Sequence, residues 1–242
     1  MTQEQILLDL QEDSHYYGKL GGHYLSNSVI GTLLNNPKSF GKKQEETLPM
    51  IQGRYFHTAM LEPKKLVNFK IVDASTRSTN RYKEVSGNDL LLLQKEVDQL
   101  DKIVDVMKGN KEMHDNIYAN GNIYELPAIG VLEGLEWKGK ADIVTDTKLI
   151  DIKTTSDIGK FRYSAYKYNY DSQAYIYYQL FGKLMEFYVI DKTTFDMGIF
   201  TCSDDFLESG RDKVKKAVDI YTKFFGDNPT EDINQYLFRA EL

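Results

Sequence analysis

Apolar residues recur along this chain with two spacings, and the change from one to the other divides it into regions. Val29, Ile30, Leu33 and Leu34 fall on one helical face, which predicts a short helix over 25–34 with Ser26 or Ser28 as its cap and Asn35-Asn36-Pro37 as its stop. Residues 50–61 predict a second helix, closed by Pro63. Over 89–107, Leu92, Leu93, Val97, Leu100, Val104 and Met107 recur near helical spacing and predict an amphipathic helix. The intervening stretch 73–88, DASTRSTNRYKEVSGN, is polar throughout and predicts an exposed loop.

The centre of the chain reads differently. Stretches 123–132, 135–144 and 148–154 are rich in β-formers and separated by Gly134 and by Thr145-Asp146-Thr147, which predicts antiparallel strands joined by tight turns. An aromatic-rich helix over 166–181, ended by Gly182, precedes two further strands at 184–190 and 195–202. A last helix over 204–225 aligns Val214, Val218, Tyr221 and Phe225. This order of elements predicts an α/β (α+β) fold, a central mixed sheet flanked by helices. No repeat, low-complexity tract or Pro/Ser-rich linker interrupts it and the five prolines are scattered, so one domain over 1–242 is expected.

Composition narrows the function classes. A hydrophobic share of 41% is ordinary for a packed core. The N-terminus MTQEQILLDLQEDS is acidic and polar, and no apolar run reaches the ~20 residues of a bilayer span, so an intracellular, cytoplasmic protein with no membrane partner is expected. The single cysteine excludes an intrachain disulfide and any zinc or iron–sulfur cluster held by several cysteines. A net charge of −6 argues against nucleic-acid binding by bulk positive charge, so any DNA contact must be local. The 17 tyrosines offer either stacking surfaces for bases or half-buried packing, and packing is the commoner use.

The chemistry concentrates in 138–155, KGKADIVTDTKLIDIKTT. Asp142 and Asp151 fall on neighbouring antiparallel strands across a short turn, so their carboxylates can converge. Asp151 and Lys153 are two apart on one strand and share a face, while Ile152 points to the other and packs. Two carboxylates with a lysine beside them suit phosphodiester hydrolysis: hard oxygen ligands hold Mg²⁺ or Mn²⁺, and the lysine orients the attacking water. Alternating charges on the exposed face of an edge strand give the same pattern, so D-x-K alone is weak evidence.

Three segments together, GRYFHTAMLEP at 53–63, the 138–155 stretch and YDSQAYIYY at 170–178, resemble the RecB-type branch of PD-(D/E)xK nucleases, most closely the RecE-like phage and prophage exonucleases of the exodeoxyribonuclease VIII type. The resemblance covers about residues 25–225, leaving 1–24 as an N-terminal extension, and implies a restriction-endonuclease-like core. It implies that His57, Asp142, Asp151 and the main-chain carbonyl of Ile152 bind the metal. It also makes Lys153 the catalytic lysine and gives Gln173 the water or the DNA backbone to hold, with Glu62 and Glu125 as second-rank carboxylates. Each has a plainer alternative: His57 as a buried histidine, Glu62 as an exposed acid, and Gln173 with Tyr177, one turn apart, as supports for the sheet. His15, His23 and His114 show no ligand spacing and read as surface residues. For DNA contact the candidates are Arg54, one turn from His57, with Arg77, Arg81, Lys83, Lys160, Arg162 and Tyr177.

What the resemblance implies is an Mg²⁺-dependent exonuclease, with Mn²⁺ able to substitute, acting 5′ to 3′ on linear double-stranded DNA ends. Such enzymes serve phage-type recombination as homo-oligomers beside a RecT-like annealing protein. The alternatives are a Cas4-like or other RecB-type nuclease with endonuclease or single-strand activity, and a non-catalytic DNA-binding protein. The lone cysteine opposes the Cas4 version, and the intact acids and lysine oppose a dead site.

Overall fold

A computed structural model of the protein describes residues 1–43 and 45–238. Two short strands, β1 (Ile71–Val72) and β2 (Leu92–Leu93), pair in parallel apart from the main sheet. The main sheet holds β3 (Ile123–Leu132), β4 (Leu135–Val144), β5 (Leu149–Thr155), β6 (Met185–Asp191) and β7 (Met197–Thr201), side by side in that order. Only β5 and β6 run parallel; the other neighbours are antiparallel, so the sheet is mixed, as the sequence predicts. The helices are α1 (Gln3–Asp9), α2 (Asp13–Tyr16), α3 (Asn27–Asn35), α4 (Leu48–Leu61), α5 (Asn80–Ser86), α6 (Gln94–Gly109), α7 (Lys111–Ile117), α8 (Phe161–Lys167), α9 (Tyr170–Phe181) and α10 (Asp204–Phe224).

Alternation along the strands gives the sheet two apolar faces, and each is covered by helices. On one face Phe56 and Met60 of α4, Leu100 and Ile103 of α6 and Ile117 of α7 meet Ile150, Ile152, Tyr188 and Ile190. On the other, Ile30 and Leu33 of α3, Ala174 and Ile176 of α9 and Val214 of α10 meet Leu149, Phe187 and Val189. Each fully buried aliphatic side chain contributes about 1.5–3 kcal/mol, so these two layers hold the strands where they are. Hydrogen bonds also tie α4 down: Tyr55 Oη donates to Asp101 (2.9 Å), Lys108 Nζ to the Ala59 carbonyl (3.0 Å) and Tyr118 Oη to the Met60 carbonyl (2.8 Å).

The parallel pairing of β5 with β6 requires a crossover, and α8 and α9 supply it. The sequence predicts one helix over 166–181; the structure has two, because Asn169 adopts a left-handed backbone (φ 59°) that breaks the helical run. Lys213 of α10 fixes that break by donating to the Tyr166 carbonyl, to Asn169 Oδ1 and to Asp171. Gly210 permits the close crossing, since a Cβ there would stand 2.1 Å from the Asp171 carbonyl oxygen.

Two other expectations are corrected. The 73–88 stretch is not all loop: Thr79 caps α5, and its 80–86 helix buries Tyr82 against Val72 and Leu93. The 89–107 helix begins only at Gln94, because Leu92 and Leu93 extend to pair with β1. The polar stretch conceals its helix because three residues, Val72, Tyr82 and Leu93, suffice to bury it.

Candidate active site

β4 and β5 are paired over only two positions, Ile143 with Ile150 and Val144 with Leu149, and then part. The next pair in register would be Asp142 and Asp151. Instead the Ile152 N–H, which would serve the ladder, donates to Asp142 Oδ2 (3.0 Å). An extended residue points its N–H and C=O the same way, so the Ile152 carbonyl also opens into this gap. The strands separate where the sequence places two acids face to face, a pairing that like charges disfavour.

Four further side chains close around the gap. His57 on α4 brings Nδ1 to 3.2 Å from Asp142 Oδ2. Lys153 forms an ion pair with Asp151 Oδ2, a buried atom that this contact serves without hydrogen-bond geometry. Gln173 on α9 donates to the other oxygen of Asp151 (2.6 Å). Glu125 lies opposite Asp142 on β3 between the pairs Tyr124–Ile143 and Leu126–Ala141, with a left-handed backbone (φ 50°). That conformation costs a non-glycine residue about 1–2 kcal/mol. It marks a change of face in the hairpin: Tyr124 and Ile143 pack toward α4 and α6, Leu126 and Ala141 toward α9.

Electrostatics follow from this crowding. Burial opposes ionising Asp142, but the His57 and Lys153 charges and the Ile152 N–H outweigh it and hold the carboxyl below its ordinary value. His57 is raised in turn, because Asp142 outweighs the burial that lowers it. Burial raises Asp151 despite the pull of Lys153. Lys153 stays an ammonium, its burial outweighed by Asp151 and Asp142. Burial together with the Asp142 charge pushes Glu125 up to about 8. Glu125 and Asp151 thus resist ionising beside the charged Asp142, a strain that a divalent cation relieves.

The donor set fits such an ion. His57, Glu125 and Asp142 each offer a ligand atom, all within 4.8 Å of one another. Imidazole nitrogen with carboxylate oxygens suits a hard or borderline divalent metal. Asp151 lies outside that trio, turned toward Lys153 and Gln173, and Glu62 is bound to Lys65 (2.6 Å).

The DNA-contact candidates divide. Arg54 is exposed but ion-paired with Glu46, in a cleft also lined by Thr58 and Glu62. Arg77 is corrected: both of its terminal nitrogens bind Glu96 (2.8 and 2.6 Å) and one also donates to the Leu91 carbonyl, so it pins the 73–79 loop to α6 and to the residue before β2. Tyr177 is corrected too, being buried with its hydroxyl engaged on the Lys140 main chain (3.0 and 3.2 Å), where it supports β4. Arg81 lies 3.6 Å from Asp73, Lys160 pairs with Asp157 (2.9 Å), and Lys83 and Arg162 are exposed. His15, His23 and His114 are surface residues, as expected.

Sequence reasoning gave no role to three residues that its motifs contain, Tyr170, Lys138 and Lys140. Tyr170 places its ring 5.2 Å from the Lys153 ammonium. Lys138 and Lys140 are buried beneath the N-terminal extension: both ammoniums lie over the Tyr16 ring (4.2 and 4.6 Å), and Lys140 pairs with Asp13 (2.9 Å). Two lysines at alternating positions beside Trp137, in a strand otherwise rich in core residues, were the available signal.

A three-layer fold with a mixed sheet, parted between two strands that bear the D…D-x-K pattern, defines the PD-(D/E)xK nuclease fold. The family model described as "PDDEXK-like domain of unknown function (DUF3799)" matches residues 33–228, and the chain belongs to that family. Among solved structures, a protein from Eubacterium rectale provisionally named an exonuclease shares the fold, with TM-score 0.63 and 15% identity over 96% of this chain and 95% of its own. A phage related exonuclease from Haemophilus somnus 129PT matches more loosely, with TM-score 0.36 and 14% identity over 82% of this chain and 93% of its own. No curated protein matches the sequence. Among the described residues, no helix is long and apolar enough to cross a membrane.

Proposed function

We propose that this protein is a metal-dependent DNA nuclease, an exonuclease acting on linear duplex ends. The observation that carries the reading is the parting of β4 from β5 at Asp142 and Asp151, with Lys153, His57 and Glu125 gathered at the opening. His57, Glu125, Asp142 and the Ile152 carbonyl would hold Mg²⁺, or Mn²⁺ in its place, with Asp151 joining them; a bound ion would offset the charge that develops on the phosphate oxygens. The chain's own groups supply the rest. Lys153 holds an attacking water by hydrogen bonding, Gln173 fixes the carboxylate beside it, and the Ile152 N–H fixes Asp142.

The finer expectations belong to the same reading. They are 5′-to-3′ polarity, a role in phage-type recombination, a homo-oligomer around DNA, a RecT-like annealing partner, a cytoplasmic setting and one domain across 1–242. The fold-mate from Eubacterium rectale, itself provisionally named an exonuclease, supports the exonucleolytic choice only as analogy. Linear duplex DNA with Mg²⁺ should release nucleotides, and covalently closed circles should stay intact. Asp151→Ala and Lys153→Ala should lower release by about three orders of magnitude, in line with the loss of a group that stabilises transition-state charge, with unchanged circular dichroism. Wild-type rates in Lys153→Ala would remove the mechanism, and equal cutting of circles would replace the exonuclease with an endonuclease.

A further inference from the structure

We infer that the outer face of α8 is a stacking platform for the bases of single-stranded DNA, set beside the active site. This inference rests on the nuclease reading and names the form of DNA that the site takes. Twelve of the 17 tyrosines are buried or half-buried; of the five exposed ones, three, Tyr163, Tyr166 and Tyr168, belong to α8 and its end. Phe161 and Ala165 bury the inner face of the helix, while Arg162, Tyr163, Tyr166, Lys167 and Tyr168 are exposed. Every exposed side chain in that set is aromatic or basic. From Ile158 to Tyr170 the chain contains no acidic residue, in a protein whose net charge is −6. Arg162 and Lys167 make no ion pair among the described residues, and Lys167 lies over the Tyr168 ring at 5.6 Å.

The C-terminal end of this face leads to the catalytic lysine. Tyr170 stands 5.2 Å from Lys153 Nζ and is backed by Phe187 (5.6 Å, stacked). The Tyr168 ring follows Tyr170 at 6.2 Å and 41°. Tyr163 is 79% and Tyr168 57% exposed, whereas Tyr166 is held edge-on by Phe206 at 5.0 Å. Lys213 braces the end of the helix through the Tyr166 carbonyl and Asn169. The rings are therefore presented on a fixed support, so stacking on them costs little further ordering.

Charge and chemistry commit the surface to one occupant. Interleaved tyrosines and unpaired basic groups suit a strand that shows its bases and its phosphates at once, which a duplex does not do. Asp151 and Lys153 are recessed, with side chains 2% and 16% exposed, so a phosphodiester reaches them most readily from a strand that has left its complement. The platform would hold that unpaired strand.

The test is binding without turnover. In EDTA, fluorescence anisotropy of a labelled oligodeoxythymidylate of about 15 nucleotides is compared with that of a duplex of equal length. A double Tyr163→Ala, Tyr168→Ala variant should bind the single strand at least about fivefold more weakly, in line with the loss of base stacking, and should keep its duplex affinity. The Tyr163→Phe, Tyr168→Phe variant should bind like the wild type, since stacking needs the ring and not the hydroxyl. Arg162→Gln with Lys167→Gln should flatten the salt dependence of single-strand binding. Wild-type affinity in the alanine variant, equal weakening of duplex and single strand, or a wild-type protein that binds no oligodeoxythymidylate would each overturn the platform. The assay contains no metal, so loss of nuclease activity in Mg²⁺ would defeat the functional reading while leaving this result standing.

Discussion

The two flanks of β5 face opposite demands. Toward β6 it is paired along its whole length, Leu149 with Met185 through Thr155 with Asp191, in a parallel ladder buried on both faces. Toward β4 it is paired at two positions and then open. The closed flank spends its backbone groups on the sheet, and its side chains are mostly apolar. The open flank leaves a backbone N–H for a carboxylate and sets acids and a lysine where residues of the core would otherwise meet. One strand thus carries both the rigidity and the chemistry, and the rigidity on one side makes the opening on the other persist.

The contrast has consequences of decreasing size. Ile190→Ala empties a fully buried position on the closed flank and should lower unfolding stability by about 2–5 kcal/mol in urea titration, while the folded fraction keeps its metal affinity. A matching loss of metal affinity would mean that the two flanks are not separable. Gln173→Ala removes the donor to Asp151 on the open flank; nuclease activity should fall about tenfold, a typical effect for a residue that positions a metal-site group, with little change in stability. No change would return Gln173 to the role of a support for the sheet.

The smallest effect concerns Lys138, upstream on the open flank. Burial, then the neighbouring Lys140, lowers its ammonium to about 8. The folded chain therefore binds fewer protons than the unfolded chain between pH 8 and the ordinary lysine value near 10.5, and across that window this group's contribution to stability rises with pH. Lys138→Met should lack that rise, so wild type should gain on the variant by on the order of 1 kcal/mol from pH 7 to 10 in thermal melts. Parallel pH curves for the two proteins would show that Lys138 is hydrated in solution.

Much of this was legible because it depends on period. Alternation placed Asp151 and Lys153 on one face and Ile152 on the other, and the short turn brought Asp142 opposite. α3, α6 and α10 followed from their apolar stripes and α4 and α9 from their stops at Pro63 and Gly182, whereas α7, which sets Ile117 in the same layer as α4 and α6, was not foreseen. What was hidden depends on tertiary context. The left-handed backbones of Glu125 and Asn169 belong to residue types that usually avoid or only tolerate φ > 0, so neither the change of face in β3 nor the break between α8 and α9 shows in composition. Arg77 and Tyr177 looked available for DNA because their partners, Glu96 and the Lys140 main chain, come from distant segments. The parting of β4 from β5 is an absence of pairing, and nothing in a hydropathy pattern distinguishes a ladder that stops early.

His57 sets a last condition. Its companions from Glu125 to Gln173 come from one unbroken stretch of chain, whereas it arrives on α4, which is held to α6 and α7 by the bonds of Tyr55, Lys108 and Tyr118. Under a metal-dependent mechanism the ion would then act as a clasp between α4 and the sheet, added to the apolar contacts of Phe56 and Met60. Occupancy would damp the breathing of α4, and any contact that pried this helix away would empty the site while the sheet stayed folded.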